Sequence, residues 1–240
     1  MPDKRSHRGM HPEDARLFAP DQWPALRLAV AELSWLITRG YAEPSAVKLV
    51  GDRHRLDARQ RMAVLRSMCT DAALAGRTAR RVAAADVAGR ALHIDGYNVL
   101  TTIEAALSGG VILAARDGCY RDVASMHGSY RKVEETVPAM RLAGQALAGL
   151  RAGACIWYLD APVSNSGRLK ALLQEEAAAQ GWPWTVEIVQ NPDAVLLRTT
   201  EIVCTADSVI LDGDVRWLNL AREIVAAGVP EAYVVDLARG

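Results

Sequence analysis

Short apolar runs in this chain lead repeatedly into an aspartate. His93-Ile94 runs into Asp95, and Trp157-Tyr158-Leu159 runs into Asp160. Ile112-Leu113-Ala114-Ala115 passes through Arg116 into Asp117, and Val203-Cys204-Thr205 passes through Ala206 into Asp207. One aspartate after a strand is ordinary turn chemistry, because its carboxylate caps a helix or closes a turn. Four on one sheet edge would repel one another, so a neutralising partner is expected. Carboxylates without histidine or thiol companions suit hard divalent cations such as Mg2+ or Mn2+. A cation held in this way orients water and stabilises the charge of a phosphodiester transition state.

The segment Asp160-Ala-Pro-Val-Ser164-Asn165-Ser166-Gly-Arg168 leaves a strand and opens a helix. Ser164, Asn165 and Ser166 are capping types, and the free amides of a helix start attract anions. They either cap alone or hold a substrate phosphate or metal-bound water beside Asp160, with Arg168 in reach. A run of arginines (Arg53, Arg55, Arg59, Arg61, Arg66, Arg77, Arg80, Arg81) lies upstream. It is either a solvated helix face or a phosphate-contacting patch in which Arg59 and Arg61 bind substrate. His7, His11, His54, His93 and His127 have no ligand spacing. His93 reads as a core residue within a strand, and His127 as a loop or helix-start residue with substrate contact as the alternative. Asp212-Gly213 reads as a turn and Asp214 as the cap of a helix near Val215. Trp157, Trp182, Trp184 and Trp217 read as packing residues, since no aromatic is interleaved with the basic ones. No GxGxxG follows a strand, and neither a phosphate-loop motif nor a GxSxG elbow occurs.

These side chains need elements to position them. From about residue 90 onward, β-type runs alternate with helical stretches. The expected strands are 91–94, 111–115, 155–159, 185–189, 202–205 and 233–235. The clearest helices are 133–150, 167–179 and 215–226. Alternation of this kind predicts an α/β fold: a three-layer α/β/α domain with a central, mainly parallel sheet. Right-handed crossovers put every strand's C-terminal end on one edge, where such sheets bind ligands. Upstream, Leu26, Val30, Leu33, Leu36 and Ile37 recur at helical spacing. A second helix follows Pro44, and Asp57 caps a third with Met62, Leu65, Met68 and Cys69 on its apolar face. The expected organisation is a disordered or extended segment 1–20, an all-helical basic domain 21–88, and an acidic α/β domain 89–240.

Charge follows the same division. The chain has 240 residues with Lys+Arg 28 and Asp+Glu 28, a net charge of zero. Residues 1–90 hold sixteen Lys/Arg against ten Asp/Glu, a net of +6, and residues 91–240 hold twelve against eighteen, a net of −6. At 50% hydrophobic and 23% charged, the chain is globular. No apolar stretch approaches the roughly 18 residues of a membrane span. The polar N-terminus lacks a signal core, so a cytoplasmic location is expected, with no membrane partner. Cys69, Cys119, Cys155 and Cys204 are far apart and read as free buried thiols in a reducing compartment.

With these residues in hand, the C-terminal part resembles the PIN-like nuclease superfamily, particularly its NYN branch. Ile94-Asp95-Gly96-Tyr97-Asn98 is similar to that branch's strand ending in Asp-Gly-Tyr-Asn. Thr205-Ala206-Asp207 looks like the superfamily's Thr-x-Asp strand end, and Asn191-Pro192-Asp193 like the acidic start of the helix before it. The resemblance implies Asp95, Asp193 and Asp207 as metal-site carboxylates, with Asp160 on the intermediate strand. It implies that Asn98 orients Asp95 or a substrate phosphate. Glu104 and Asp117 are the two candidates for the early acidic residue of that superfamily. The N-terminal part resembles a small helical bacterial and archaeal domain of unknown function that occurs joined to a PIN-like half. The matching residues run through Leu36–Tyr41 and Lys48–Leu56, then Gln60-Arg61 and Arg66. The expected activity is a Mg2+- or Mn2+-dependent phosphodiesterase acting on nucleic acid, as a ribonuclease. The alternatives are a non-cleaving module that binds RNA or protein, and a metal-dependent nucleotide phosphohydrolase. In the leading reading Asp95, Asp160 and Asp207 are direct ligands, while Asp117 and Asp193 bind metal or activate water.

Overall fold

The computed structural model describes residue 7, residues 9–123, residue 130 and residues 132–238; His127 lies outside them. The N-terminal half is built from α1 (Asp14–Leu17), a 3-10 turn (Pro20–Gln22), α2 (Trp23–Thr38), α3 (Glu43–Arg53), α4 (Ala58–Ser67) and α5 (Asp71–Arg80). Local chemistry sets these boundaries. Proline stands in the first turn of α2 and of α3, where its missing N–H is harmless. Asp57 and Gln60 form a reciprocal capping box at α4, and the Thr70 hydroxyl accepts the Ala73 amide at α5. Gly40, at φ +81°, follows α2. Leu26, Ala29, Val30 and Leu33 give α2 one buried stripe.

Ordered structure begins upstream of the expected residue 21. Leu17 and Phe18 are buried with the α2 and α4 side chains, and Asp14 is buried as well. The segment is polar in composition but carries two large apolar anchors, and these fold it against the helices.

The second half contains β1 (Leu92–Asp95), α6 (Gly96–Leu107), β2 (Ile112–Ala114), β3 (Tyr120–Asp122), α7 (Thr136–Gly149), β4 (Cys155–Asp160), α8 (Ser166–Gln180), β5 (Trp184–Val189), α9 (Pro192–Leu196), β6 (Ile202–Cys204), α10 (Ser208–Asp212), β7 (Trp217–Leu218), α11 (Leu220–Gly228) and β8 (Val234–Asp236). The main sheet is parallel with order β5-β4-β1-β6-β7. Alternate residues face opposite layers, as the pleat requires. Cys155, Trp157 and Leu159 of β4, with Ile202 and Cys204 of β6, pack beneath α6, α7, α8 and α11. Tyr158 and Val203 face Leu196 of α9 and Ile210 of α10. This is the expected three-layer α/β/α arrangement with a helical N-terminal region.

The expectation of a single sheet is corrected. β2 belongs to a separate three-stranded sheet, order β3-β2-β8, antiparallel to β3 and parallel to β8. The segment divides between two cores: Ile112 joins the α/β core, while Leu113, with Val111 just before the strand, joins the core of the N-terminal helices. Val123, Val235 and Leu237 also pack into that helical core. The small sheet is therefore a partition, and the helices share one of its faces instead of forming an isolated domain. A strand also replaces the start of an expected helix, since Trp217–Leu218 is β7 and the helix begins at Leu220. Asp214 consequently caps nothing there, and Asn219 holds the N-cap position. All four cysteines are buried and free. Among the described residues, no helix is long and apolar enough to cross a membrane.

Candidate carboxylate site

Counted by its own strands in chain order, the main sheet reads 3-2-1-4-5. Its order reverses between β1 and β6. Crevices outside the C-terminal ends of strands at such a reversal are the usual ligand sites of open α/β sheets. Parallel pairing brings Asp95 opposite Tyr158 of β4, and aligns Ile94 with Cys204 of β6. Asp95, Asp160 and the Thr205–Asp207 turn thus share one edge.

Asp95 ends β1 and caps α6, accepting the Asn98 amide at 3.4 Å. Its other carboxylate oxygen accepts the Thr205 hydroxyl at 2.7 Å across the reversal. Asn98 reaches the same way, its Oδ1 accepting the Ala206 amide at 2.8 Å. The Thr205 Oγ1 also accepts the Asp207 amide at 3.0 Å, and Asp207 caps α10 through the Val209 amide at 2.8 Å. Gly96 makes the close approach possible. A Cβ there would lie 2.8 Å from the Tyr158 carbonyl oxygen and 2.7 Å from Leu159 Cδ2. Asp193 stands in the first turn of α9, whose Asn191 cap accepts the Ala194 amide.

The electrostatics couple these groups. Burial pushes the Asp95 carboxyl up from an ordinary 3.8 to about 7; Asp207 and Asp193 push the same way, against hydrogen bonds from Thr205 and Asn98. Asp160 is raised by burial and then by Asp193, and Asp193 by burial and then by Asp207. The named charges acting on all three are other carboxylates of this edge. The donor set is oxygen only, which fits a hard divalent cation. Among the described residues, no three His, Cys, Asp or Glu side chains stand close enough together to hold an ion by themselves.

Asp117 does not belong to this edge, which corrects the four-strand expectation. It lies beyond β2 in the other sheet, nearly buried between two arginines. Arg77 Nη1 donates to it at 2.6 Å, and Arg121 donates twice, at 3.0 and 2.6 Å. Burial alone raises the Asp117 carboxyl, but Arg121 and Arg77 outweigh it and hold the group well below the usual carboxylate range. It is a satisfied structural ion pair. Glu104, the other candidate for the early acidic position, is buried on α6 and accepts hydrogen bonds from Tyr130 and Thr136.

The arginine run is also corrected. Arg59 forks onto the buried Asp14, while Arg61 donates to the Leu56 carbonyl at 2.9 Å and to Asp52 at 2.8 Å. Both hold the helical region together, because nearby carboxylates claim them. Asn165 holds the N-cap position of α8, but neither its side chain nor that of Ser164 caps the helix amides. Asn165 takes a left-handed conformation and donates to the Tyr130 carbonyl at 3.0 Å. Ser166 is buried, bonded to Tyr97 and to the Asp160 and Val163 carbonyls, so it braces the Asp160 turn. Arg168 is exposed and lines a cavity of about 580 Å3 with Lys132, Tyr130 and Asn165. His93 is a half-buried strand residue, its Nδ1 3.2 Å from the Tyr158 hydroxyl. Sequence reasoning assigned no role to Thr205 beyond its motif, and none to Arg121. The first had a signal in its spacing to Asp207; the second had none, since its partners lie on other elements.

Two family models match this chain. One, described as a domain of unknown function (DUF5616), covers residues 84–223; the other, a protein of unknown function (DUF434), covers residues 25–80. An uncharacterized protein of Methanocaldococcus jannaschii is 31% identical over 190 residues, 79% of this chain and 90% of the relative. No solved structure matches.

Proposed function

The chain belongs to the DUF5616 family, and we propose that it is a divalent-cation-dependent phosphodiesterase that hydrolyses RNA. The observation that carries this reading is the gathering of the buried Asp95, bonded to Thr205 and through Asn98 to the Asp207 turn, with Asp160 and Asp193 at the sheet reversal, where burial first and neighbouring carboxylates second raise Asp95, Asp160 and Asp193. Buried carboxylates held against one another are unfavourable unless a cation or chemistry uses them. The oxygen-only donor set favours Mg2+ or Mn2+. Mg2+ is commonly bound by one or two carboxylates, with water and substrate phosphate completing its shell. That mode suits an edge where no three ligands converge beforehand. Such a cation, when bound, lowers the pKa of water and offsets phosphoryl charge.

In this reading Asp95 and Asp207 hold the cation. Asp160 and Asp193 bind its water or a second ion. Thr205 fixes the Asp95 carboxylate, and Asn98 fixes the turn that carries Asp207. Arg168 and Lys132, which line the cavity at the start of α8, supply the phosphate contacts that Arg59 and Arg61 are too engaged to make. RNA as the substrate class rests on the resemblance of Asp95-Gly-Tyr-Asn98 and Thr205-x-Asp207 to NYN-type nucleases.

The test is cleavage of end-labelled RNA with Mn2+, comparing the natural chain with Asp95→Asn and Asp207→Asn. Loss of cleavage in both folded variants is the expected result. Activity surviving both substitutions would show the assignment to be wrong. Turnover of free nucleotides without RNA cleavage would move the reading to a nucleotide phosphohydrolase.

A further inference from the structure

The turn that presents Asp207 is gripped from two sides. Asn98 takes the Ala206 N–H, as described above. The Ala206 carbonyl accepts Arg121 Nε at 2.8 Å. Arg121 is itself buried, and its two Nη atoms fork onto Asp117. Asp117 also holds Arg77 of α5. Arg77 then reaches α10, donating to Asp212 at 2.8 Å and to the Ser208 carbonyl at 3.4 Å. Next along α5, Arg80 donates to the Leu211 carbonyl at 3.0 Å. The single residue between Thr205 and Asp207 is thus fixed at both its N–H and its C=O. The helix that starts at Ser208 is tied down by the last turn of α5.

We propose that Arg121 and Arg77 are positioning residues. They fix the Thr205–Asp207 turn and α10 through Asp117, and so make the N-terminal helical region a working part of the carboxylate edge. The proposal rests on the reading that Asp207 serves that edge. Geometry favours it over simple packing. Asp117 satisfies only two of the five N–H donors of the buried Arg121, and the acceptor that Nε takes is the carbonyl of the very residue whose N–H Asn98 holds, flanked on both sides by the site residues. Supporting hydrogen bonds of this kind fix the orientation of ligating groups, and their loss typically weakens metal binding by about 10- to 100-fold.

The experiment compares the full chain with Arg121→Gln and Arg77→Gln. Arg121→Lys is included because it keeps the charge beside Asp117 but loses the fork. The first readout is amide hydrogen exchange. The expected result is exchange at Ala206, Asp207, Val209 and Ile210 faster by about tenfold or more, with the Ile94 and Trp157 amides unchanged. The second readout is Mn2+ affinity, measured by electron paramagnetic resonance with the metal alone. It should weaken by about tenfold or more in folded Arg121→Gln, with partial recovery in Arg121→Lys. Unchanged exchange at residues 206–210 in the folded variants overturns the proposal. So does unchanged Mn2+ affinity where the natural chain binds Mn2+. A natural chain that binds no Mn2+ removes the metal reading instead, and the exchange result then decides the clamp by itself.

Discussion

Asp95 and Asp117 are both buried aspartates, one ending β1 and the other in the turn after β2, yet their carboxyls are shifted in opposite directions. Asp95 faces other carboxylates and a neutral hydroxyl, and its carboxyl is pushed up to about 7. Asp117 is clasped by Arg77 and Arg121 and is held well below the ordinary range. Burial acts alike on both, so the difference lies in the partner charge. A buried carboxylate already satisfied by arginine is architecture. One left among its own kind is held at a cost, and such costs mark working sites.

That contrast is most exposed to removal of the Asp117 charge. Asp117→Asn leaves two buried arginines facing a neutral amide, and it should cost about 3–5 kcal/mol of unfolding free energy. Chemical denaturation checks this. An effect below about 1 kcal/mol would mean that the network is not the structural pair described.

Asp95→Asn should act with the opposite sign. Its carboxyl is raised in the fold from 3.8 to about 7, so the folded state binds the proton more tightly than the unfolded one. Stability from this group is therefore complete below about pH 4 and is lost as pH rises through 7. Without metal, Asp95→Asn should stabilise the protein at pH 8 by up to about 4 kcal/mol, and change little at pH 4. Melting curves across that window test it, and a destabilised variant at pH 8 would contradict the assigned environment.

A smaller effect should come from Mn2+. Saturating metal, at about a hundredfold over its dissociation constant, should raise stability by about 2.7 kcal/mol at pH 8, and less near pH 5, where Asp95 is protonated. Asp207→Asn should abolish the shift, whereas Arg59→Lys should keep it. The smallest effect belongs to the exposed pair of Lys48 with Asp52, at 2.6 Å. Lys48→Ala should leave the denaturation midpoint essentially unchanged, since solvent screens that pair.

Much of this was legible before any coordinates. The runs around Ile94, Trp157, Ile188 and Val203 announced parallel strands, and Asp95, Asp160 and Asp207 stood at their ends. Periodicity cannot choose between sheets, however, so β2 looked like its neighbours. Its membership was decided by pairing with Val234–Asp236, more than a hundred residues away. The two-residue β7 is too short to register as a strand. In α4, the stripe predicted through Met62 and Leu65 is rotated: Ala63 and Val64 are buried, while Met62 is 45% exposed. Small residues carried the contact there, and a search for large apolar ones overlooks them. The arginines misled for a related reason. Sequence lists charges without partners, and Asp14 and Asp52 were the partners of Arg59 and Arg61.

The shared face of the small sheet has a consequence for how the chain is made. The core around Leu26 and Leu33 is completed by Val235 and Leu237. Arg27 Nε donates to the Asp236 carbonyl at 2.7 Å, and the Tyr233 hydroxyl to that of Phe18 at 2.6 Å, across separations of 209 and 215 residues. During synthesis the helices around Leu26 and Leu33 therefore cannot close their core until Val234–Asp236, about two hundred residues later, has emerged from the ribosome. At about 5–20 residues per second, the wait is on the order of ten seconds or more, with apolar helix faces uncovered. Contacts of such long range also slow refolding from denaturant. A chain shortened before Val234 should strand its N-terminal helices half-packed, exposed to proteases and chaperones, even though every residue of the carboxylate edge is present.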